Sequence, residues 1–107
     1  TENEKILKKI IVVLDQIDSI YNFAVQTKND MLVKNLDSSV KVIKKAFREI
    51  GFEEIPTEGE IFDPNVHECI EAVEDDGKNK NEIVDTVKKG YKYKDKILRV
   101  AAVIAVK

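Results

Sequence analysis

Between Val33 and Ile50 the apolar residues Val33, Leu36, Val40, Ile43, Phe47 and Ile50 recur in alternating steps of three and four, and directly after Gly51 that period stops. Such a repeat belongs to a helix that packs along a seam, as in a bundle or coiled coil. One wall of the fold is therefore a helix of roughly five turns, and whatever follows Gly51 obeys a different rule. Lys44, Lys45 and Arg48 lie near the helix end, where positive charge suits the dipole, and Gly51 is placed to cap it.

Upstream, Glu4 to Ala24 carries a second helical pattern. Ile6, Ile10, Val13, Ile17, Ile20 and Ala24 form one apolar series, and Leu7, Ile11 and Leu14 form another beside it. Together they make an arc wider than the single stripe a surface helix needs, so this helix is predicted to pack against more than one neighbour. The polar break at Thr27 to Asp30 separates the two helices. A hairpin of two helices covers only one face of each, and a second copy would cover the rest. The pattern predicts a homodimeric four-helix bundle held by Ile10, Leu14 and Ile17 of the first helix and Leu36, Val40, Ile43 and Phe47 of the second. The alternative is a monomer whose C-terminal half folds over the helices.

Beyond Gly51, short strand-like runs alternate with turn residues. Ile55-Pro56 and Glu58-Gly59 mark turns, and Asp63-Pro64 can open one helical turn with Asp63 as its cap. Strands are predicted at Glu68 to Val73, Ile83 to Val87, Tyr91 to Tyr93 and Ile97 to Val106, with Asp75 to Asn81 as a polar, disordered excursion. The chain thus reads as α+β, with a helical dimerisation region over 1–51 and a small, mainly β domain over 52–107.

The sequence is 43 % hydrophobic and 36 % charged, a balance suited to a folded, soluble chain. Its longest apolar run, Ile10 to Leu14, is far short of the roughly 20 residues of a membrane span. Thr1 opens a charged stretch without an apolar signal region, as expected of a cytosolic chain or a processed one. The formal charge of -2 hides segregation: ten acidic residues and no Lys or Arg lie between Glu53 and Asp76, whereas Gly77 to Lys107 holds nine basic residues against three acidic ones. The simplest expectation is that acidic and basic strands pair in one sheet.

The single cysteine, Cys69, supports neither a disulfide nor a thiolate metal cluster, and is expected to fill a small buried position. His67 has Asp63, Glu68 and Cys69 nearby, but adjacent strand residues point to opposite faces and a zinc site wants three or four ligands. His67 therefore reads as structural, with no metal and no catalytic residue. The glycines at 51, 59, 77 and 90 are too scattered for a phosphate-cradling loop, so no cofactor is expected. Lys88 to Lys96 alternates bases with tyrosines, as a single-strand nucleic-acid surface does, but the overall negative charge favours tyrosines packing on their own sheet, and no nucleic-acid partner is expected.

The same region carries a family resemblance. Phe62-Asp63-Pro64-Asn65-Val66-His67-Glu68, followed after Ile70 by nineteen residues and then by Gly90-Tyr91 and Leu98-Arg99-Val100-Ala101-Ala102-Val103, resembles the bipartite C-terminal signature of GrpE proteins. Val12 to Asp18 is similar to a helix of that family, and Phe47 to Ile55 to its junction between helix and β wing. The departures are Cys69 for the usual Ala, Val100 for Pro or Ala, Ala105 for a larger aliphatic, and Tyr93-Lys94-Asp95-Lys96 where many members have Leu-Asn-Gly-Arg. Losing Asn-Gly removes the pair that favours a type I′ hairpin.

The resemblance implies a homodimeric co-chaperone, not an enzyme, whose wing docks on the ATPase domain of a DnaK-type chaperone, opens its nucleotide cleft and releases ADP. By similarity Val87, Lys96 and Arg99 would face the chaperone, while Phe62, Asp63, Pro64, His67, Gly90 and Tyr91 would shape the wing. It further implies a bacterial cytoplasmic or mitochondrial matrix location, and a truncated or processed chain lacking most of the family's long N-terminal helix. A dimeric helical scaffold is the competing reading, and a nucleic-acid-binding β domain comes third.

Overall fold

A computed structural model describes residues 2–107. The chain runs as α1 (Glu2–Gln26), α2 (Asp30–Glu49), β1 (Phe52–Glu54), β2 (His67–Val73), β3 (Ile83–Lys88), β4 (Tyr91–Tyr93), β5 (Lys96–Arg99) and β6 (Ala101–Val106). It divides into two units, the residues up to Phe52 and Glu53–Lys107. The fold is α+β, and no described helix is long and apolar enough to cross a membrane.

In the first unit α1 contacts α2 across a three-residue turn. The turn closes as a Schellman motif: Asn29 N donates to Ala24 O at 3.3 Å, Lys28 N to Val25 O at 3.1 Å, and Lys28 takes the left-handed conformation, φ 58°. Asn29 then caps α2, its side-chain oxygen accepting from Leu32 N at 3.1 Å. At the other end Gly51 N donates to Arg48 O at 3.0 Å, and Gly51 has φ 92°, the conformation for which glycine is the natural cap residue. Ile50, expected in the helical seam, is the cap and is exposed. Phe47 packs on Phe52, with ring centroids 5.2 Å apart.

The wide apolar arc of α1 divides lengthwise. Leu7, Ile11 and Ala24 are buried, and Ile10, Leu14 and Ile17 are half-buried. Ile6, Val13 and Ile20, seven residues apart, form an exposed stripe with 57 %, 58 % and 54 % of their surface free. On α2 the seam residues Val33, Leu36, Val40, Ile43 and Phe47 are half-buried and none is fully covered.

The second unit holds two three-stranded sheets, ordered β1-β4-β5 and β2-β6-β3. The strand β6 is central, parallel to β2 and antiparallel to β3. All six of its residues are apolar, in keeping with a strand that is buried or half-buried along its whole length. Ile55, Ile83, Ala101, Val103 and Ala105 make the core, with Phe62, Val66 and Ile97 packed against it.

Several expectations are corrected here. The acidic strand β2 pairs with the uncharged β6 and not with a basic strand, so the charge segregation is not neutralised across one ladder. Cys69 is exposed, because β2 is an edge strand that bulges at this point, and its Sγ donates to Glu71 O at 3.3 Å. Asp75 to Asn81 is an ordered turn: Gly77 N donates to Asp75 Oδ1 at 2.9 Å, Lys78 N to Asp75 O at 3.2 Å, and Asn81 N to Val106 O at 2.9 Å. The run from Ile97 to Val106 is two strands in different sheets, separated at Val100.

The break at Val100 lies directly against Gly90. A Cβ there would lie 2.4 Å from Ala101 N and 2.8 Å from both Arg99 O and Val100 C, so the two backbone segments cross without room for a side chain. Gly90→Ala is expected to destabilise the β unit by about 2–3 kcal/mol or more, since backbone atoms and not a flexible side chain have to move. Thermal unfolding checks this; a midpoint within a degree or two of the parent's would show that the crossing has slack.

Candidate functional site

Val87 and the basic residues of 88–99 follow one another along β3, β4 and β5, and the geometry of this stretch begins with a bulge. On β3, Thr86 pairs with Val103 and Lys88 with Ala102, so Val87 is an extra residue in the ladder. A bulged residue is re-aimed out of the regular pleat. Val87 is accordingly 56 % exposed, although it neighbours the core strand β6.

The segment on either side of Val87 is fixed by polar contacts. Upstream, the Thr86 hydroxyl lies 2.7 Å from Thr57 Oγ1 and 2.9 Å from Glu58 Oε1, and Thr57 donates to Glu58 Oε2 at 3.0 Å. Thr57 is buried, and an ionised carboxylate accepts only, so both hydroxyl protons can end on Glu58. Downstream, Arg99 donates to Lys89 O from Nε at 2.9 Å and from Nη2 at 2.6 Å, and its guanidinium lies over the Tyr91 ring at 5.6 Å. Lys89 Nζ is 3.8 Å from Glu54 Oε1.

Arg99 therefore stands at the junction two residues beyond Val87. Lys96 is at the far end of β5, paired with Tyr93 across the β4–β5 turn, so it is exposed at the hairpin tip and not beside Arg99. Of the two loop residues Lys94 and Asp95, only Lys94 has positive φ, at 53°. That is the sign pattern of a type II′ turn, not the I′ turn that Asn-Gly favours. Lys94 Nζ sits 5.2 Å over the Tyr93 ring, and residues 88–99 hold six basic side chains against Asp95.

Most of the signature residues lie in the turn that leads into β2. Asp63 O accepts from Val66 N at 3.1 Å and His67 N at 2.8 Å, closing one helical turn at Asp63-Pro64, and Asp63 Oδ1 accepts from Asn65 N at 2.9 Å. His67 is buried, with Phe62 at 6.0 Å between ring centroids. Asp63 N donates to His67 Nδ1 at 3.0 Å, which leaves Nε2 to carry the proton and donate to Pro56 O at 2.8 Å. Both ring nitrogens are thus committed to the backbone, which leaves the ring no lone pair for a metal. Among the described residues no group of three His, Cys, Asp or Glu could hold a metal ion. A cleft of about 230 Å³ beside His67, lined by Ile55, Pro56, Ile61 and Lys92 among others, is below the roughly 300–1,000 Å³ of small-molecule sites. Tyr91 is buried under Arg99.

Sequence reasoning missed Thr57, Glu58 and Thr86. Threonine in a strand and glutamate in a turn carry no signal until the chain brings positions 28 and 29 residues apart together.

These features define an α+β protein in which a helical hairpin leads into a small two-sheet β unit. The family model for GrpE matches residues 1–107, so the chain belongs to the GrpE family. It is 41 % identical over 98 residues to Protein GrpE of Clostridium tetani, covering 90 % of this chain and 46 % of that protein. It is also 46 % identical over 66 residues to Protein GrpE of Clostridium acetobutylicum, covering 62 % of this chain and 32 % of that one. With Protein GrpE of Helicobacter hepaticus it shares 35 % over 105 residues, 97 % of this chain and 56 % of that one. The chain spans about half the length, or less, of these relatives.

Partial burial pushes the Glu58 carboxyl upward, but hydrogen bonds from Thr86 and Thr57, its own backbone N–H and the Lys89 charge together hold it below the ordinary glutamate value. A folded-state value below the unfolded one adds stability that is present above the unfolded value and lost as pH falls through the folded one. Glu58→Gln is therefore expected to be less stable than the parent at neutral pH, with the difference shrinking as pH drops through and below the ordinary glutamate range. The side chain is exposed, so the effect is small. Denaturant midpoints measured from pH 7 to pH 3 check it; a difference that grows on acidification would reverse the sign.

Proposed function

We propose that this chain is the exchange-factor part of a co-chaperone, a homodimer whose β unit docks on the ATPase domain of a DnaK-type chaperone and promotes ADP release by holding the nucleotide cleft open. The GrpE match over residues 1–107 carries this reading. No bond to be made or broken is required of the chain. The work is done by contact energy that is greater with the open cleft than with the closed one, because a ligand shifts an equilibrium only by its differential affinity.

Val87, Lys96 and Arg99 are the proposed contact residues. The exposed bulge supports Val87 as an apolar contact, and the hairpin tip gives Lys96 access to a partner of opposite charge. Arg99, held by the Lys89 carbonyl, supplies a fixed charge next to the end of β3. Phe62, Asp63, Pro64, His67, Gly90 and Tyr91 give the unit its stiffness, which matters because a soft wing would deform in place of the cleft. The matched relatives reported above are bacterial, which favours the bacterial cytoplasm over the mitochondrial matrix.

Self-association is proposed through the helices. The exposed stripe Ile6, Val13 and Ile20 continues the half-covered face of Ile10, Leu14 and Ile17 and meets the seam of Leu36, Val40, Ile43 and Phe47 when a second copy is added. Each aliphatic side chain fully buried contributes roughly 1.5–3 kcal/mol. Val13→Asp is expected to convert the dimer to a folded monomer, whereas Ile43→Asp, half-buried within one chain, should lower the melting temperature as well. Sedimentation at micromolar concentration checks both, and a parent that sediments as a monomer refutes the dimer.

The decisive measurement is ADP release from a DnaK-type ATPase domain with and without the chain; a dimeric scaffold predicts no acceleration. Rim charges govern association rate and salt dependence, and buried apolar contacts govern dissociation. Lys96→Glu should slow complex formation and flatten its salt dependence, and Val87→Asp should shorten the lifetime of the complex. If both variants match the parent, the contact surface lies elsewhere.

A further inference from the structure

We propose that Thr57, Glu58 and Thr86 act as a clamp that holds the bulge at Val87 in its partner-facing position, making them positioning residues for the docking surface. The inference rests on the exchange-factor reading above. Two observations set it apart from ordinary strand pairing. The ladder between β3 and β6 shifts register twice, between Ile83 and Asp85 and again between Thr86 and Lys88, so Val87 has no partner of its own on β6 where it leaves the pleat. At that place the one hydroxyl on the strand, Thr86, is bound by two side chains from the irregular segment between β1 and β2.

The irregular segment is a firm anchor. Gly59 N donates to Ile83 O at 3.0 Å and Ile83 N to Glu60 O at 2.8 Å, so the backbone at Gly59 and Glu60 is tied to the start of β3. Thr57 is 7 % exposed, with its hydroxyl shared between Glu58 and Thr86. A bulge leaves one residue unpaired and disrupts the ladder locally, so the direction in which that residue is aimed depends on what holds its flanks. Here one flank is fixed by the two threonines and Glu58, and the other by Arg99 on the Lys89 carbonyl.

A clamp of this kind changes the fraction of molecules with Val87 correctly presented, not the contacts made once docked. When the competent fraction falls, the apparent dissociation constant rises in proportion while the saturated complex is unaltered. Thr86→Val keeps the shape of the side chain and removes the hydroxyl. It is expected to raise the concentration giving half-maximal acceleration of ADP release about tenfold, for a competent fraction near one tenth, and to leave the plateau rate unchanged. Thr86→Ser, which restores a hydroxyl, should recover most of the loss. Glu58→Ala, at an exposed side chain with little risk to folding, should shift the half-maximal concentration in the same direction as Thr86→Val.

A second arm needs no chaperone. Backbone order parameters of Val87 and Lys88 should fall from about 0.85 to below about 0.6 in Thr86→Val, with β6 unaffected, and return in Thr86→Ser. Order parameters unchanged in Thr86→Val would overturn the clamp. So would loosening without a shift in half-maximal concentration, or a serine variant that fails to recover. If the parent chain does not accelerate ADP release, the exchange-factor reading fails, and the order parameters alone then decide whether the clamp exists.

Discussion

At Gly90 the backbone passes so close to residues 99–101 that a single methyl group would collide with three backbone atoms, and both sheets of the β unit meet at this crossing. The strand β5 belongs to one sheet and β6 to the other, yet one residue, Val100, separates them. A chain that changes sheets in so short a span has to turn against something thin. Gly90 supplies that, and its carbonyl is used as well, accepting from Ile55 N at 2.9 Å. Ile55 is itself a core residue, so the crossing and the apolar core are set by the same few atoms.

The next dependence is polar. Between β1 and β2 the chain from Ile55 to Val66 forms no strand in either sheet, and its conformation is held by hydrogen bonds spread along it. Thr57 reaches Thr86, Gly59 and Glu60 tie to Ile83, Phe62 N donates to Asn81 O at 2.8 Å, and the His67 ring bridges Asp63 and Pro56. A buried polar group left unpaired costs roughly 1–3 kcal/mol, so each of these bonds excludes alternative paths for the segment more than it adds net stability. His67 does the most, because one ring joins the start of β2 to a carbonyl eleven residues earlier.

What the sequence made legible follows from range. The helices and their caps depend on neighbours three to five residues away, so the step-of-three-and-four seam and Gly51 were readable directly. Strand locations were readable for the same reason, from β2 through β4. The break at Val100 was hidden because nothing in Leu98-Arg99-Val100-Ala101 marks it; the glycine that makes room for the crossing sits ten residues earlier, at Gly90. Three residues of Phe52-Glu53-Glu54 are too few to show a period, so β1 gave no signal. Cys69 and Val87 were misjudged or only matched by similarity because exposure at a bulge is a property of register, and register is fixed by the partner strand. Glu58 and the two threonines were invisible for the same long-range reason.

The two units leave apolar surface open in different ways, and the difference in scale bears on what each can do in the proposed mechanism. Along α1 three aliphatic side chains lie in register at seven-residue spacing, each with more than half of its surface still open, and together they form a continuous apolar stripe of the kind the proposed self-association would cover. The β unit offers single residues, Ile61 between β1 and β2, and Val87 and Ile70, each of the last two standing where a register shift has lifted it from the ladder. One such side chain cannot hold a partner tightly by itself. It can still decide between two states of a partner, since about 1.4 kcal/mol of difference is already a tenfold shift and only the difference matters. That use demands a fixed position more than a large area. The polar network around the bulge at Val87 is suited to such a demand, and the permanent attachment that the helices would make has no need of one.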